Sequence, residues 1–358
     1  MAEITDSLIA WYERNKRELP WRNTVNPYLI WMSEIILQQT RVDQGMDYYL
    51  KFVARFPDIQ ALASAPRDEV FKLWQGLGYY NRAENMVKTA RLIVEQYGGN
   101  FPEKQAQLIK LPGIGPYTSA AIASIAFNEP VPVVDGNVYR VLSRIFGVKE
   151  PVNSSKGMQQ VNDLAQKMMD KNKPAVFNQA MMEFGALVCT PAGPSCAVCP
   201  FRQLCYAYRN GVTEDLPVRQ PKIKVKNRYF YYFQIEYAGE KETFVYLKKR
   251  TRKDIWKNLY DFVVVETNRK TAITDRWILD HLDEKIKTKD VTLGKVSKEY
   301  RQRLTHQLIH AVFIRIIVHK KINTANENSL ILVRKDHLAE YPVPRLIEQY
   351  LTDEELIK

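Results

Sequence analysis

Leu111-Pro112-Gly113-Ile114-Gly115-Pro116-Tyr117-Thr118, followed by Ser119-Ala120-Ala121-Ile122-Ala123-Ser124-Ile125-Ala126, is the stretch on which the fold turns. Glycines two residues apart permit a tight turn, and the small, helix-favouring run behind them can open a helix whose first amides lack intrahelical partners. Such an end seats an anion. A backbone phosphate placed there meets N–H groups and the positive end of the helix dipole, without any base being read. Gly113 and Gly115 are therefore candidate DNA-contacting positions, although an ordinary connection between two helices accounts for these residues equally well.

Outward from this stretch, the first 221 residues read as helical, with gaps marked by Pro27, Pro57, Pro66, Pro102, Pro112 and Pro130. A basic, proline-bearing linker then precedes a change of pattern. Tyr229 to Phe233, Phe244 to Leu247, Phe262 to Val265 and Phe313 to Val318 read as strands, and Thr274 to Leu282 as a helix. With 358 residues, two or three domains are expected. The division is a helical region over 1–210, a linker over 211–227 and a mixed α and β domain over 228–358. Charge is uneven: residues 222–358 carry 28 Lys and Arg against 19 Asp and Glu, whereas residues 1–221 carry 24 against 21. A basic second domain suggests that it too touches phosphates, with a solvated basic surface as the plainer alternative. No run is long and apolar enough to span a membrane, and the start lacks the pattern of a signal peptide, so a cytoplasmic protein with reduced thiols is expected.

Cys189, Cys196, Cys199 and Cys205 are the only cysteines, spaced C-x6-C-x2-C-x5-C. Such crowding argues for one metal-centred knot. Four thiolates suit tetrahedral zinc or an iron-sulfur cluster, and spacing alone leaves the metal open, with a disulfide pair as the remaining alternative.

Two carboxylates stand out. Glu34 lies in Tyr28-Leu29-Ile30-Trp31-Met32-Ser33-Glu34-Ile35-Ile36-Leu37, where helical spacing places it with Ile30, Trp31 and Leu37. A carboxyl on an apolar face has a raised pKa and can stay protonated at neutral pH; the alternative is a surface or capping glutamate. Asp135 closes the run Val131-Pro132-Val133-Val134 and opens a helix carrying Val138, Val141, Leu142 and Ile145. Its plain role is an N-cap. The functional role, compatible with the first, sets its carboxylate beside a sugar that becomes cationic as a glycosidic bond breaks, with Gly136-Asn137 giving close backbone approach and a second polar contact.

Hairpin, cysteine loop and carboxylates together resemble the helix-hairpin-helix DNA glycosylases with an iron-sulfur loop, the endonuclease III and adenine glycosylase superfamily. The resemblance runs from about Leu19 to about Leu216 and continues more weakly beyond. It implies an all-α helix-hairpin-helix catalytic region whose four cysteines hold a 4Fe-4S cluster, followed by an α+β Nudix-like domain matched at Lys249-Arg250 and Ile255 to Phe262. It further implies that Glu34 protonates adenine and later handles the water, and that Asp135 stabilises or traps the oxocarbenium-like sugar. Tyr117 occupies the hairpin position that carries the Schiff-base lysine in endonuclease III. A phenol cannot form that imine, so Tyr117 and Asn137 are cast as supporting the carboxylates.

By the same resemblance, Arg22 and Gln179 line the adenine pocket, and Gln39, Thr40, Leu77 and Tyr79 surround an oxidised guanine and wedge into the duplex. An ordinary packed turn would account equally for Leu77 and Tyr79. The second domain lacks a glutamate-rich Nudix box. Its closest match to the family's Phe-Ser-His loop is Leu304-Thr305-His306, so Thr305 and His306 are candidate lesion readers, with His310 as a competing register. The implied function is a monofunctional glycosylase that removes adenine opposite 8-oxoguanine or guanine in double-stranded DNA, acting as a monomer and associated with the nucleoid through DNA. The alternatives are an endonuclease III-like glycosylase and lyase for oxidised pyrimidines, and a DNA-binding module without chemistry.

Overall fold

A computed structural model describes residues 1–220, 225–240, 242–286, 288, 290–322 and 330–357. The chain forms two compact units, Met1–Ser64 with Asn85–Pro221 and Ala65–Glu84 with Lys222–Lys358. This is not the colinear division expected from composition. Residues 65–84 lie within the helical stretch of sequence but pack with the second unit, because their polar side chains find partners there: Lys249 Nζ lies 2.9 Å from an Asp68 oxygen, Asn258 Nδ2 donates to Glu84 at 3.1 Å, and Gln75 Nε2 donates to Glu348 at 2.7 Å.

In the first unit the helices are α1 (Ala2–Asn15), α2 (Pro27–Leu37), α3 (Val42–Arg55) and α4 (Ile59–Ser64). After α5 (Arg67–Trp74), which belongs to the second unit, come α6 (Asn81–Tyr97), α7 (Gln105–Leu108), α8 (Pro116–Phe127), α9 (Gly136–Phe146), α10 (Ser155–Met168), α11 (Pro174–Leu187) and α12 (Tyr206–Arg209). Their boundaries follow local chemistry. Asn26 accepts from the Tyr28 amide to cap α2, and proline takes the first position of α2, α8 and α11, where no amide partner is lost. Helix α9 buries Val138, Val141, Leu142 and Ile145 at helical spacing and stops at Gly147, whose φ of 70° ends the helix in the left-handed region. These side chains join Leu8 and Tyr12 of α1, Val161 of α10 and Phe177 and Phe184 of α11 in one core. Truncating a buried ring such as Phe184 costs about 3–5 kcal/mol.

The second unit is built on one mixed sheet. Strands β1 (Lys226–Ala238), β2 (Thr243–Lys249), β3 (Tyr260–Asp261), β4 (Val263–Thr267), β5 (Val291–Val296), β6 (Tyr300–Arg303), β7 (Gln307–Val318) and β8 (Leu330–Arg334) follow the path β3-β2-β1-β7-β5, with β4 on β1, β6 on β7 and β8 on β2. At its centre β1 and β7 run parallel from Lys226 opposite Gln307 to Tyr237 opposite Val318. Helix α13 (Asp275–Ile286) packs Ile278 and Leu282 on one sheet face; on the other, Tyr350 of α14 (Arg345–Asp353) stacks on Phe313 with ring centroids 3.8 Å apart.

Candidate active site and cysteine centre

Three elements of the first unit bring the two carboxylates together. Helix α2 projects Glu34, the start of α8 projects Tyr117, and the loop before α9 ends in Asp135. Burial pushes the Glu34 carboxyl up to about 7; the Tyr117 hydroxyl, which faces it, works against the rise, and the charge of Asp135 adds to it. Glu34 keeps partial solvent access while protein crowds its carboxyl, so a substantial fraction can carry a proton near neutral pH where a ligand can still reach it. The Tyr117 phenol is driven upward by burial and by both carboxylates, and its oxygen lies 3.6 Å from Met182 Sδ.

Asp135 is the N-cap of α9. Its Oδ1 accepts from the Asn137 and Val138 amides, both at 2.8 Å, and its Oδ2 accepts from Asn137 Nδ2 at 2.7 Å. Burial raises its pKa, whereas these bonds and the charge of Arg140 favour the ionised form. Both carboxyls are thus raised by burial, but only Asp135 has amide donors and a nearby guanidinium that stabilise its ionised form. Asn137 is held in turn: Arg140 Nη2 donates to its Oδ1 at 2.8 Å and to the Gly185 carbonyl at 2.6 Å, while Arg140 Nε donates to the Cys189 carbonyl at 2.6 Å. The extended run into Asp135 is pinned by fully buried Asn178, which donates to the Val131 carbonyl and accepts from the Val133 amide.

The hairpin has the expected form. Gly113 adopts φ 76°, and a Cβ there would meet Asn85 Cβ at 2.6 Å, so glycine is required twice over. Gly115 is the N-cap of α8 with extended backbone, a Cβ on it would meet nothing, and no side chain caps the helix. Open space faces uncapped amides, the condition an incoming anion needs.

Glu183 on α11 was not singled out from sequence. It is 1% exposed and accepts from Arg22 Nη1 at 2.8 Å and Nη2 at 2.5 Å, and from Arg17 Nε at 2.9 Å and Nη2 at 2.6 Å. Burial raises its carboxyl, but the two guanidinium groups outweigh burial and bring it down to about 2. The fork of Arg22 is thus turned to Glu183. Gln179, on the same helix, accepts from the Tyr12 hydroxyl at 2.9 Å. A charged residue among Ala180, Met181 and Phe184 is the same signal that drew attention to Glu34, and it was available for Glu183 too.

Other expected positions are spread over both units. In the first, Gln39 is exposed at φ 58°, and Thr40 Oγ1 lies 3.5 Å from the Gln38 carbonyl. In the second, Leu77 is buried while Tyr79 is 52% exposed at φ 48°. A left-handed aromatic is uncommon enough to need support. Here Trp74 Nε1 donates to the Gly78 carbonyl at 2.9 Å, and the Arg82 guanidinium lies over the Trp74 ring at 5.0 Å and the Tyr79 ring at 5.7 Å. Thr305 and His306 are exposed in the β6–β7 turn, and the Thr305 hydroxyl lies 2.8 Å from that of Tyr79. His310 is packed instead, stacked on Tyr229 and bonded to Glu299 and Asn227.

The four thiols are free and line one cavity beside Arg144, with about 390 Å³ of empty space that includes open solvent. Arg144 Nη1 lies 3.5 Å from Cys189 Sγ, and Arg144 also donates to the Thr190, Pro191 and Leu216 carbonyls, while the Cys205 thiol donates to the Arg144 carbonyl at 3.4 Å. Among the described residues, no three His, Cys, Asp or Glu side chains converge as they would on one ion. A single zinc requires thiolates about 2.3 Å from a common centre. Four thiols that share one cavity are the donor set that zinc or an iron-sulfur cluster takes.

Comparison with known proteins agrees with this arrangement. The model of the HhH-GPD superfamily base excision DNA repair proteins matches residues 32–175, and that of the NUDIX domain matches residues 232–353. The adenine DNA glycosylase of Buchnera aphidicola subsp. Schizaphis graminum is 35% identical over 309 residues, covering 85% of both chains; the human adenine DNA glycosylase is 44% identical over 228 residues, covering 60% of this chain and 42% of its own. Among solved structures, a thermostable thymine-DNA glycosylase superposes with a TM-score of 0.54 at 31% identity, covering 58% of this chain and 96% of its own. A non-covalent endonuclease III–DNA complex, with a TM-score of 0.51 at 22% identity over 58% of this chain and 95% of its own, shares the fold. With an HhH-GPD match, a NUDIX match and 35% identity to an adenine DNA glycosylase over 85% of each sequence, the chain belongs to the adenine DNA glycosylase family.

Proposed function

We propose that this enzyme hydrolyses the N-glycosidic bond of adenine mispaired with 8-oxoguanine or guanine, leaving an abasic site and an uncut strand. The observation that carries the reading is the Glu34, Tyr117 and Asp135 constellation, in which burial lifts the Glu34 carboxyl to about 7 and Asp135 is held by amide donors. Glu34 gives its proton to the adenine ring, the C1′–N bond breaks with its electron pair leaving on adenine, and Asp135 stabilises the sugar cation. Water then adds at C1′ and its proton returns to Glu34, closing the cycle. Tyr117 orients the acid and offers no amine for an imine, so strand cleavage has no nucleophile at this position.

Cys189, Cys196, Cys199 and Cys205 would hold a 4Fe-4S cluster, which would tie their loop together. Metal analysis is expected to find iron and sulfide in near-equal amounts with little zinc; a colourless, fully active zinc protein would exclude the cluster. The Tyr79 and Thr305 hydroxyls, together and exposed, are the groups suited to the base opposite adenine, with His306 beside them. Single-turnover assays on duplexes with one A:8-oxoguanine, A:G or thymine-glycol site test the activity. Adenine release with alkali-dependent strand breakage is expected, and release of the oxidised pyrimidine with spontaneous breakage would overturn the reading.

A further inference from the structure

The loop after β2 is closed by contacts that the glycosylase reaction does not use. Residues 250–258 fold back through the Asn258 amide on the Arg250 carbonyl at 2.7 Å and the Arg250 amide on the Leu259 carbonyl at 2.9 Å, with Trp256 and Asn258 both at positive φ. The acid of this loop is neutralised from below. Arg228 on β1 forms two bonds to Asp254, at 2.9 and 2.7 Å, and two to Glu266, at 2.6 and 2.7 Å, while Arg250 Nη1 donates to Asp261 at 2.7 Å. Arg252 and Lys253, next to Asp254, are exposed, and among the described residues their side chains have no hydrogen-bond or ion-pair partner.

Arg228 also fixes where this loop lies. Its Nη1, which bonds Asp254, donates to Gln307 at 3.0 Å, and Gln307 follows Thr305-His306. Exposed Lys226 borders the same turn, its amide donating to the His306 carbonyl at 2.9 Å, and in the parallel register it shares the sheet face of Arg228. Asn258 of the loop donates to Glu84, in the segment that carries Tyr79. Three stretches distant in sequence thus converge on one site, with the acids engaged and the cations turned outward.

We propose that Arg252, Lys253 and Lys226 form a phosphate grip on the duplex, holding the backbone of the strand whose base faces Thr305. The choice of strand rests on the proposed function; the grip itself does not. Exposed cations cost little folding energy to remove, so the test is binding. The Arg252→Ala/Lys253→Ala protein is titrated with undamaged and A:8-oxoguanine duplexes from 50 to 200 mM NaCl, conditions of the experiment that need no excision. The slope of log affinity against log salt should become shallower by about one per lost contact, about two for the pair, with affinity near physiological salt down about tenfold. Single-turnover excision at saturating enzyme and the A:8-oxoguanine to A:G ratio should not change. Lys226→Ala should remove about one further unit of slope. Arg252→Lys/Lys253→Arg keeps the charge and should restore the slope. Unchanged slopes in the alanine protein would overturn the grip, whether or not adenine is released; absent adenine release with shallower slopes would overturn the proposed function and leave the grip standing.

Discussion

Glu34 is the carboxyl whose environment brings its titration to neutral pH. A carboxyl with its pKa raised to about 7 is protonated in the folded protein where the unfolded chain has already lost the proton, so stability is greatest below the unfolded value near 4.5 and falls as pH rises toward 7. Two outcomes follow from that sign. Excision at saturating enzyme should decline as pH rises through about 7, and Glu34→Gln should lose about 10²–10⁴-fold of the single-turnover rate while still binding the lesion duplex. The same substitution should raise the melting temperature at pH 8 and leave it nearly unchanged at pH 4.5, since it removes an anion that burial disfavours. Asp135→Asn separates cap from catalyst in another way. Asparagine caps as well as aspartate, so thermal stability should change by less than about 1 kcal/mol while excision collapses; a protein that melts early but still releases adenine would reduce Asp135 to a helix cap. Both carboxyls were legible in sequence because each interrupts an apolar pattern. Glu183 interrupts an apolar pattern too, but its pairing with Arg17 and Arg22 across more than 160 residues leaves no local signature.

At the scale of elements, the hairpin offers a comparison within one turn. Gly113→Ala meets Asn85 and a positive φ, and should cost about 1–3 kcal/mol of stability. Gly115→Ala meets open space at an ordinary φ, so it should melt like the parent yet bind duplex DNA more weakly, because its methyl group intrudes where the phosphate sits. Equal affinity in the second variant would remove the phosphate from the mouth of α8. Strand legibility divides along similar lines. Three expected runs fall inside β1, β2 and β7, which are rich in buried aromatic and β-branched residues, while the run from Phe262 and the helix from Thr274 each start one residue ahead of β4 and α13. Edge strands β5 and β6 went unread: Val-Thr-Leu-Gly-Lys-Val is mostly exposed, and Tyr-Arg-Gln-Arg presents one buried residue, so tertiary pairing with β7 makes them strands where local pattern does not.

For the whole molecule, the membership of residues 65–84 in the second unit changes what removing that unit means. Truncation after residue 221 deletes Lys249, Asn258, Thr305 and Glu348 together, and with them one partner each of Asp68, Glu84, Tyr79 and Gln75. Amide exchange should therefore rise across 65–84 while α9 and α11 stay protected, and the rates on A:8-oxoguanine and A:G should converge. If the exchange pattern in 65–84 were untouched, that segment would be held by its own turn alone. The contact between Tyr79 and Thr305 also has a timetable. It joins residues 226 apart, and that of Gln75 with Glu348 joins residues 273 apart. At about 5–20 residues per second of synthesis, Tyr79 waits roughly ten seconds to a minute on the ribosome before its partners exist. A nascent chain can have built both carboxyl-bearing helices long before then, so a product released early would carry the means to cut a glycosidic bond before it carried the means to choose which one.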